Sequence, residues 1–263
     1  MYSTIDEDSG KPYGEWYIRF AGNRMALAYT PNSRYAAEID SNNWVEILSR
    51  PDVKIGLADP RFDAAGYRAL MVMTLAEDEY QVKGLHDNLF RDAFTYPITR
   101  FAEDGLTDIS VPEILEPKSD SNIVQRGSSI QLLALLESGD IDYAFEYESV
   151  IAQHNLSSVS LPDEINLGSS DYAQQYETVQ VTLDFQRFST VKPVFRCEPI
   201  GYGITIPSNA PHPELAERYI AFLLSPEGRT VMKSVHNPLL DPPVCDQPDK
   251  VPALLKGFCV GAE

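Results

Sequence analysis

The sequence contains few of the residues that form zinc sites or nucleic-acid interfaces. It has three cysteines, four histidines, and 21 Lys or Arg against 39 Asp or Glu, which gives a formal net charge of −18. No CxxC pair occurs, so the usual spacing of a zinc site is missing. Phosphate contacts need clustered basic side chains, so this composition argues against nucleic acid as a partner. A single small anion remains compatible, because local backbone N–H groups can bind it under salt screening.

Long apolar runs and catalytic motifs are missing as well. No stretch reaches the roughly 18 apolar residues that a membrane-spanning helix needs. The first eight residues are polar and acidic, without the marks of a secretory signal. GxSxG, HExxH and P-loop patterns do not occur, and the carboxylates Asp59 and Asp63 have no nucleophile or oxyanion donor beside them. We therefore expect a binding protein that is not an enzyme and has no cofactor.

Cys245 and Cys259 flank a proline-rich tail. They could close a loop if the chain meets an oxidising compartment. Three unpaired thiols, with Cys197 as the third, are an equally weighted alternative.

Short apolar runs alternate with helical patterns along the chain. Strands are predicted at 16–30 with a break at 22–23, and at 52–57, 142–146, 179–183, 194–196 and 201–206. Helices are predicted at 42–49, 67–80, 84–97, 129–139, 149–154, 214–224 and 227–234. Residues 104–125 are predicted to form an exposed excursion, and residues 155–178 a loop region with several acidic positions. This alternation predicts an α/β fold with a largely parallel sheet.

The segment at 58–68, ADPRFDAAGYR, joins a short apolar run to a long helical pattern. A loop with Pro, Asp and Gly that opens a helix directs free backbone N–H groups forward, and that geometry suits a small anion. Taken alone, Asp63 is best explained as the N-cap of the helix. It would repel an anion unless it could bind a metal centre inside that anion.

Several segments, in order, resemble the archaeal tungstate/molybdate-binding proteins that feed an ABC importer. They are FAGNRMALAYT at 20–30, NNW at 42–44, DPRFDAAGYRALM at 59–71, LLESGDIDYAFEYESVIAQHN at 135–155, and the segment 199–228, which contains FLLSPEG. The resemblance runs from about Tyr17 to about Lys256. On these motifs the chain is identified as a member of this solute-binding family.

The resemblance implies an α/β fold that is periplasmic-binding-protein-like (type II), with two α/β lobes and a ligand cleft. Residues 1–36 with 195–263 would form the first lobe, and residues 37–194 the second. Family members carry further segments before the point where this sequence begins. We therefore expect an N-terminally truncated chain whose first lobe is incomplete. The family also implies an extracellular, membrane-associated location, although this chain shows no signal peptide.

In this family two carboxylates coordinate the metal of tetrahedral WO4²⁻ or MoO4²⁻. W(VI) and Mo(VI) are hard centres that accept additional oxygen ligands, whereas the sulfur of sulfate does not. By position, the resemblance implies that Asp63 coordinates the W or Mo atom. It also implies that the Ala65 backbone N–H and the Tyr147 hydroxyl bind the oxyanion.

The second carboxylate of the family falls on Ser129. A serine hydroxyl can donate to an oxo group, but it is a poor replacement for a carboxylate ligand. Ser129 is also placed to cap the helix that follows it. Asp120, Glu146 and Glu198 are possible replacements, but none of them stands at the spacing of the family.

The sequence therefore predicts the substrate-binding component of an ABC importer. It would bind tungstate or molybdate and deliver the oxyanion to a membrane permease, acting as a monomer and without nucleic acid. Two alternatives stay open. Because Ser129 and Ala65 replace residues of the family pattern, the same fold could bind a changed ligand. A truncated chain could also be a remnant that binds nothing.

Overall fold

The computed structural model describes residues 12–185 and 193–262. The described chain forms two compact units, one of residues 24–199 and the other of residues 12–23 with 200–262. The larger and the smaller unit are described separately below. The lobe boundaries expected from the sequence stay a prediction.

The described residues contain both strands and helices. The strands are β1 (Ile18–Gly22), β2 (Met25–Tyr29), β3 (Ile55–Ala58), β4 (Thr99–Glu103), β5 (Leu106–Pro112), β6 (Ile123–Arg126), β7 (Tyr143–Tyr147), β8 (Ser157–Ser160), β9 (Val179–Asp184), β10 (Val194–Arg196), β11 (Gly201–Ile204), β12 (Leu239–Cys245) and β13 (Val260–Gly261). The α-helices are α1 (Trp44–Leu48), α2 (Ala64–Glu79), α3 (Ser129–Ser138), α4 (Glu148–Gln153), α5 (Ala173–Tyr176), α6 (Pro213–Leu224) and α7 (Pro226–Ser234). Short turns of other helix types cover Asp87–Arg91, Ser170–Tyr172 and Lys256–Phe258.

A five-stranded sheet in the order β6-β3-β7-β2-β8 belongs to the larger unit. β3 is parallel to its neighbours β6 and β7, while β2 is antiparallel to both β7 and β8. Every residue of β3 is buried, as expected for a strand that is covered on both faces. α2 and α3 both contact β3 and β7, so the parallel half of the sheet carries these two helices.

A second sheet of the larger unit has the order β10-β9-β5-β4. The prediction of an exposed loop at 104–125 is wrong, because β5 and β6 lie within it. β5 buries Ile109 and Val111 beside β9, its parallel neighbour. The predicted loop at 155–178 likewise contains β8. The predicted helix at 84–97 is reduced to the single turn Asp87–Arg91.

The sheets are mixed rather than largely parallel, so that part of the prediction is wrong. In the larger unit, the parallel pairs are β3 with β6, β3 with β7, and β5 with β9. The remaining pairs of that unit are antiparallel, and among them β4 and β5 are joined by a tight turn. The predicted α/β class is confirmed, since strands and helices both occur along the chain and α2 and α3 pack on the five-stranded sheet.

The smaller unit contains a four-stranded sheet in the order β11-β1-β12-β13. β1 is antiparallel to β11 and to β12, and α7 contacts β12. The buried residues of its core are Trp16, Ile18, Ile220, Leu224, Cys245, Val251 and Leu255. The predicted strands and helices of this region are all present.

The thiols of Cys245 and Cys259 are free and lie next to each other in the smaller unit. Burial and the neighbouring Cys245 raise the pKa of Cys259 to about 12, so this thiol reacts slowly at neutral pH. We expect a disulfide to form under an excess of oxidised glutathione in alkaline buffer. It should raise the free energy of unfolding by about 3 kcal/mol, because it closes a loop of about 15 residues.

Mass spectrometry before and after oxidation, followed by urea unfolding, checks this expectation. Cys259→Ser is the matched control and should gain no stability in the oxidising buffer. A wild-type protein that keeps both thiols after prolonged oxidation would contradict it.

Candidate functional site

Three neighbouring parallel strands bring the candidate residues to one edge of the five-stranded sheet. β6, β3 and β7 point the same way, so their carboxyl ends lie side by side. Asp63 follows β3, Ser129 follows β6, and Tyr147 is the last residue of β7. Ligands of open α/β sheets are usually bound beyond this edge.

The loop between β3 and α2 is held by Asp59. Its carboxylate accepts hydrogen bonds from the Arg61 backbone N–H at 3.0 Å and from Arg61 Nε at 2.8 Å. The Asp59 carbonyl oxygen accepts from the backbone N–H of Phe62 at 3.0 Å and of Asp63 at 2.9 Å. The Asp59 N–H donates to the carbonyl of Arg126 at 2.7 Å, which ties the loop to the end of β6. These bonds fix where Asp63 begins the helix.

Asp63 is the N-cap of α2, and its carboxylate also reaches the first residue of α3. Oδ1 accepts from the Ala65 N–H at 2.9 Å, and Oδ2 accepts from the Ser129 N–H at 2.7 Å. The carboxylate therefore lies at the N-termini of two helices, where the backbone carries partial positive charge. Each carboxylate oxygen has a second lone pair, so both can still bind another partner.

The structure places Ala65 and Ser129 beside Asp63. The Ala65 N–H, expected to bind the oxyanion, here donates to the carboxylate of Asp63. The N-cap of α3 is Ser128, so the idea that Ser129 caps this helix is wrong. Because Ser129 is the first helical residue, its N–H belongs to the free N–H groups at the helix start, and Asp63 accepts it.

Tyr147 lies at the same edge, and its hydroxyl accepts a hydrogen bond from Arg68 Nη1. Burial raises the pKa of Tyr147 to about 12, although the nearby Arg68 opposes the shift. The hydroxyl therefore keeps its proton at neutral pH. Since Arg68 occupies an acceptor position of the oxygen, the hydroxyl hydrogen can still be donated to a ligand.

Glu146 is a buried carboxylate that joins this group. Its exposed fraction is 1%, its Oε1 accepts from the Tyr147 N–H at 2.7 Å, and its Oε2 has no hydrogen-bond partner among the described residues. Burial raises the pKa of Glu146, and the charge of Asp63 adds to this increase. The Tyr147 N–H and the Ser129 hydroxyl act in the opposite direction and lower the pKa. Glu146 thus lies within electrostatic reach of Ser129 and Asp63.

The other two carboxylates considered as replacements, Asp120 and Glu198, are exposed. Asp120 precedes β6, at the opposite edge of the sheet, whereas Glu198 lines a cavity together with Tyr67 and Arg68. The sequence contained a signal for Glu146: it is a charged residue within YAFEY, where the preceding residues are buried and apolar or aromatic. A carboxylate in such a strand is rare unless it is paired or functional.

Within residues 12–185 and 193–262, no group of three or more His, Cys, Asp or Glu side chains is arranged to hold a metal cation. No helix among the same residues is both long enough and apolar enough to span a bilayer.

Comparison with known proteins shows the family. Residues 3–235 match the family model described as bacterial extracellular solute-binding protein. The chain belongs to this family. The resemblance seen in the sequence is thereby confirmed, as is the solute-binding α/β fold.

Individual relatives of this solute-binding protein agree with the family model. A solute-binding protein of Petrotoga mobilis is 36% identical over 260 residues, covering 99% of this chain and 72% of the relative. The molybdate/tungstate-binding protein WtpA of Thermococcus kodakarensis is 39% identical over 259 residues, covering 98% and 69%. Among solved structures, the periplasmic molybdate-binding protein of Azotobacter vinelandii matches with a TM-score of 0.48 and 15% identity, covering 87% of this chain and 71% of that protein.

Proposed function

We propose that this solute-binding protein binds molybdate or tungstate and delivers the oxyanion to the permease of an ABC importer. It works as a monomer at the outer side of the membrane, without catalysis, cofactor or nucleic acid. Relatives that carry the name molybdate/tungstate-binding protein support the choice of ligand. The position of Asp63 supports the choice of site.

The observation that carries the proposal is the Asp63 carboxylate at two helix N-termini. Both of its oxygens are oriented by backbone N–H groups, at 2.9 and 2.7 Å, and each keeps a lone pair. The partial positive charges of α2 and α3 favour an anion at this position. A carboxylate in the same place repels sulfate or phosphate, but it can act as a ligand to a hard W(VI) or Mo(VI) centre.

The neighbouring donors complete the proposed site. The Tyr147 hydroxyl, protonated and polarised by Arg68, donates to one oxo group. The Ser129 hydroxyl donates to another oxo group, while its N–H holds Asp63. The Ala65 N–H orients the same carboxylate at the helix start. The donors bind the oxygens of the ligand, and the carboxylate binds its metal.

Isothermal titration calorimetry at neutral pH tests this function with molybdate, tungstate, sulfate, phosphate and calcium. We expect saturable one-to-one binding of molybdate and tungstate, at least about 100-fold tighter than sulfate or phosphate, a difference of about 2.7 kcal/mol. Calcium should not bind, since it needs about six to eight oxygen ligands. Equal or absent binding of all four oxyanions would contradict the proposal.

A further inference from the structure

We infer that Glu146 is the second carboxylate that coordinates the metal centre of the oxyanion, so that β7 supplies a ligand that the α3 position, occupied by Ser129, does not. The inference rests on the proposed function, because it concerns the same site. It assigns to this chain a ligand pair, Asp63 and Glu146, that differs from the pair implied by its family resemblance.

The Glu146 side chain is buried and only partly hydrogen-bonded. It is 1% exposed, and only one of its oxygens is hydrogen-bonded within the described residues. A buried polar atom without a partner is costly, and a buried charge is more so. A buried carboxylate oxygen without a hydrogen-bond partner among the described residues is available to a ligand.

Glu146 lies at the same edge of the sheet as Asp63. Glu146 is the penultimate residue of β7, at the edge where Asp63 follows the adjacent parallel strand β3. Asp63 accepts the Ser129 N–H at 2.7 Å, and Glu146 accepts the Tyr147 N–H at 2.7 Å. Both carboxylates therefore lie at the carboxyl ends of the parallel strands β6, β3 and β7. Two carboxylates can thus approach one ligand atom from two neighbouring strands.

The negative charges of Asp63 and Glu146 need a positive partner. Two neighbouring carboxylates destabilise each other unless a proton or a positive centre lies between them. Arg68 donates to the Tyr147 hydroxyl, and Arg61 donates to Asp59. A highly charged W(VI) or Mo(VI) centre satisfies Asp63 and Glu146 together.

The coordination step forms no redox product. An Oε2 lone pair of ionised Glu146 is donated to the metal, and the metal gains one oxygen ligand. If Glu146 carries a proton in the empty protein, that proton passes to the solvent when the ligand binds.

The test compares the wild-type protein with Glu146→Gln and with the double variant Ser129→Glu/Glu146→Gln, using sodium tungstate and sodium molybdate. Glu146→Gln should lower affinity for both at least about 100-fold, more than is usual for residues that only support a ligand. Tungsten X-ray absorption should show one fewer oxygen ligand. The double variant, which places a carboxylate on α3, should regain at least tenfold of the affinity and the lost ligand.

Glu148→Gln is the matched control, because Glu148 is a half-buried glutamate two residues along the chain and is paired with Arg24 at 2.7 Å. It should bind like the wild type. Glu146→Gln should be at least as stable as the wild type in urea at neutral pH, because it removes a buried carboxylate. A purely structural role would instead lower its stability.

The possible failures are distinguishable. If Glu146→Gln keeps wild-type affinity, or loses affinity with an unchanged number of oxygen ligands, the assignment of Glu146 is overturned and the proposed function stands. If the wild type binds neither tungstate nor molybdate, both the function and the assignment are overturned.

Discussion

Replacing Asp63 by asparagine is expected to lower tungstate affinity at least about 1000-fold, or about 4 kcal/mol. The variant loses the negative oxygen that would coordinate the metal. Its amide NH2 would also face either the Ala65 or the Ser129 N–H, so one donor would oppose another. Calorimetry with tungstate measures the loss, and urea unfolding should show a further cost of about 1–3 kcal/mol.

Asp63→Ser separates the capping role from the ligand role. Serine is also a good N-cap, so it can still accept the Ala65 N–H and preserve α2. We expect a folded protein that does not bind tungstate. Asp140→Asn is the control, because Asp140 is exposed just beyond the other end of α3, and it should bind normally. Wild-type binding by Asp63→Ser would show that Asp63 is only a cap.

Gly66→Ala is expected to cause the largest loss of stability, about 3 kcal/mol or more. A Cβ at this position would lie 2.2 Å from the carbonyl oxygen of Ala58 and 2.7 Å from the Pro60 nitrogen. Both are backbone atoms, so the start of α2 would have to move away from the end of β3. Helix propensity alone predicts the opposite, a gain of about 1 kcal/mol. Urea unfolding, or the yield of soluble protein, measures the effect.

Gly127→Ala is the matched control in the same unit. The nearest atom to its Cβ would be Gln131 Oε1 at 3.9 Å, an ordinary contact, so the change should stay within about 0.5 kcal/mol. If Gly66→Ala proved as stable as Gly127→Ala, the close approach of α2 to β3 would be disproved.

Elements with local signals could be predicted from the sequence. α2 follows its N-cap Asp63 and has Gly66 in its first turn. α3 ends before Gly139, which adopts the left-handed conformation that favours glycine. β1 and β2 are separated at Gly22, as the sequence indicated. These features depend on a few consecutive residues.

Strands whose signal comes from distant pairing could not be predicted. β4 has no buried residue, and β5 becomes recognisable only through its pairing with β9, about 70 positions later. β8 is a run of serines and one valine that is stabilised as an edge strand beside β2. Parallel or antiparallel direction likewise depends on which strands meet, and the local pattern does not encode it.

In the candidate site, too, the residue with a local signal could be predicted, and the residue brought in by strand pairing could not. Asp63 could be found from its loop, because cap and ligand both need that residue at a helix entrance. Glu146 could not be placed from spacing, since Ser129 and Asp63 follow other strands of the sheet. Only the order β6-β3-β7 brings these three side chains together.

The two hydrogen bonds that Asp63 accepts also bear on how fast an ion can be captured. With one oxygen fixed by α2 and the other by α3, rotation of the carboxylate about its χ2 bond is blocked before any ligand arrives. An incoming ion therefore meets an oxygen that already points in one direction, and the Asp63 side chain does not have to change rotamer when the ion binds. The conformational entropy of the Asp63 side chain is already lost when the protein folds. Capture can then be limited by diffusion and by loss of hydration water rather than by rearrangement of the carboxylate.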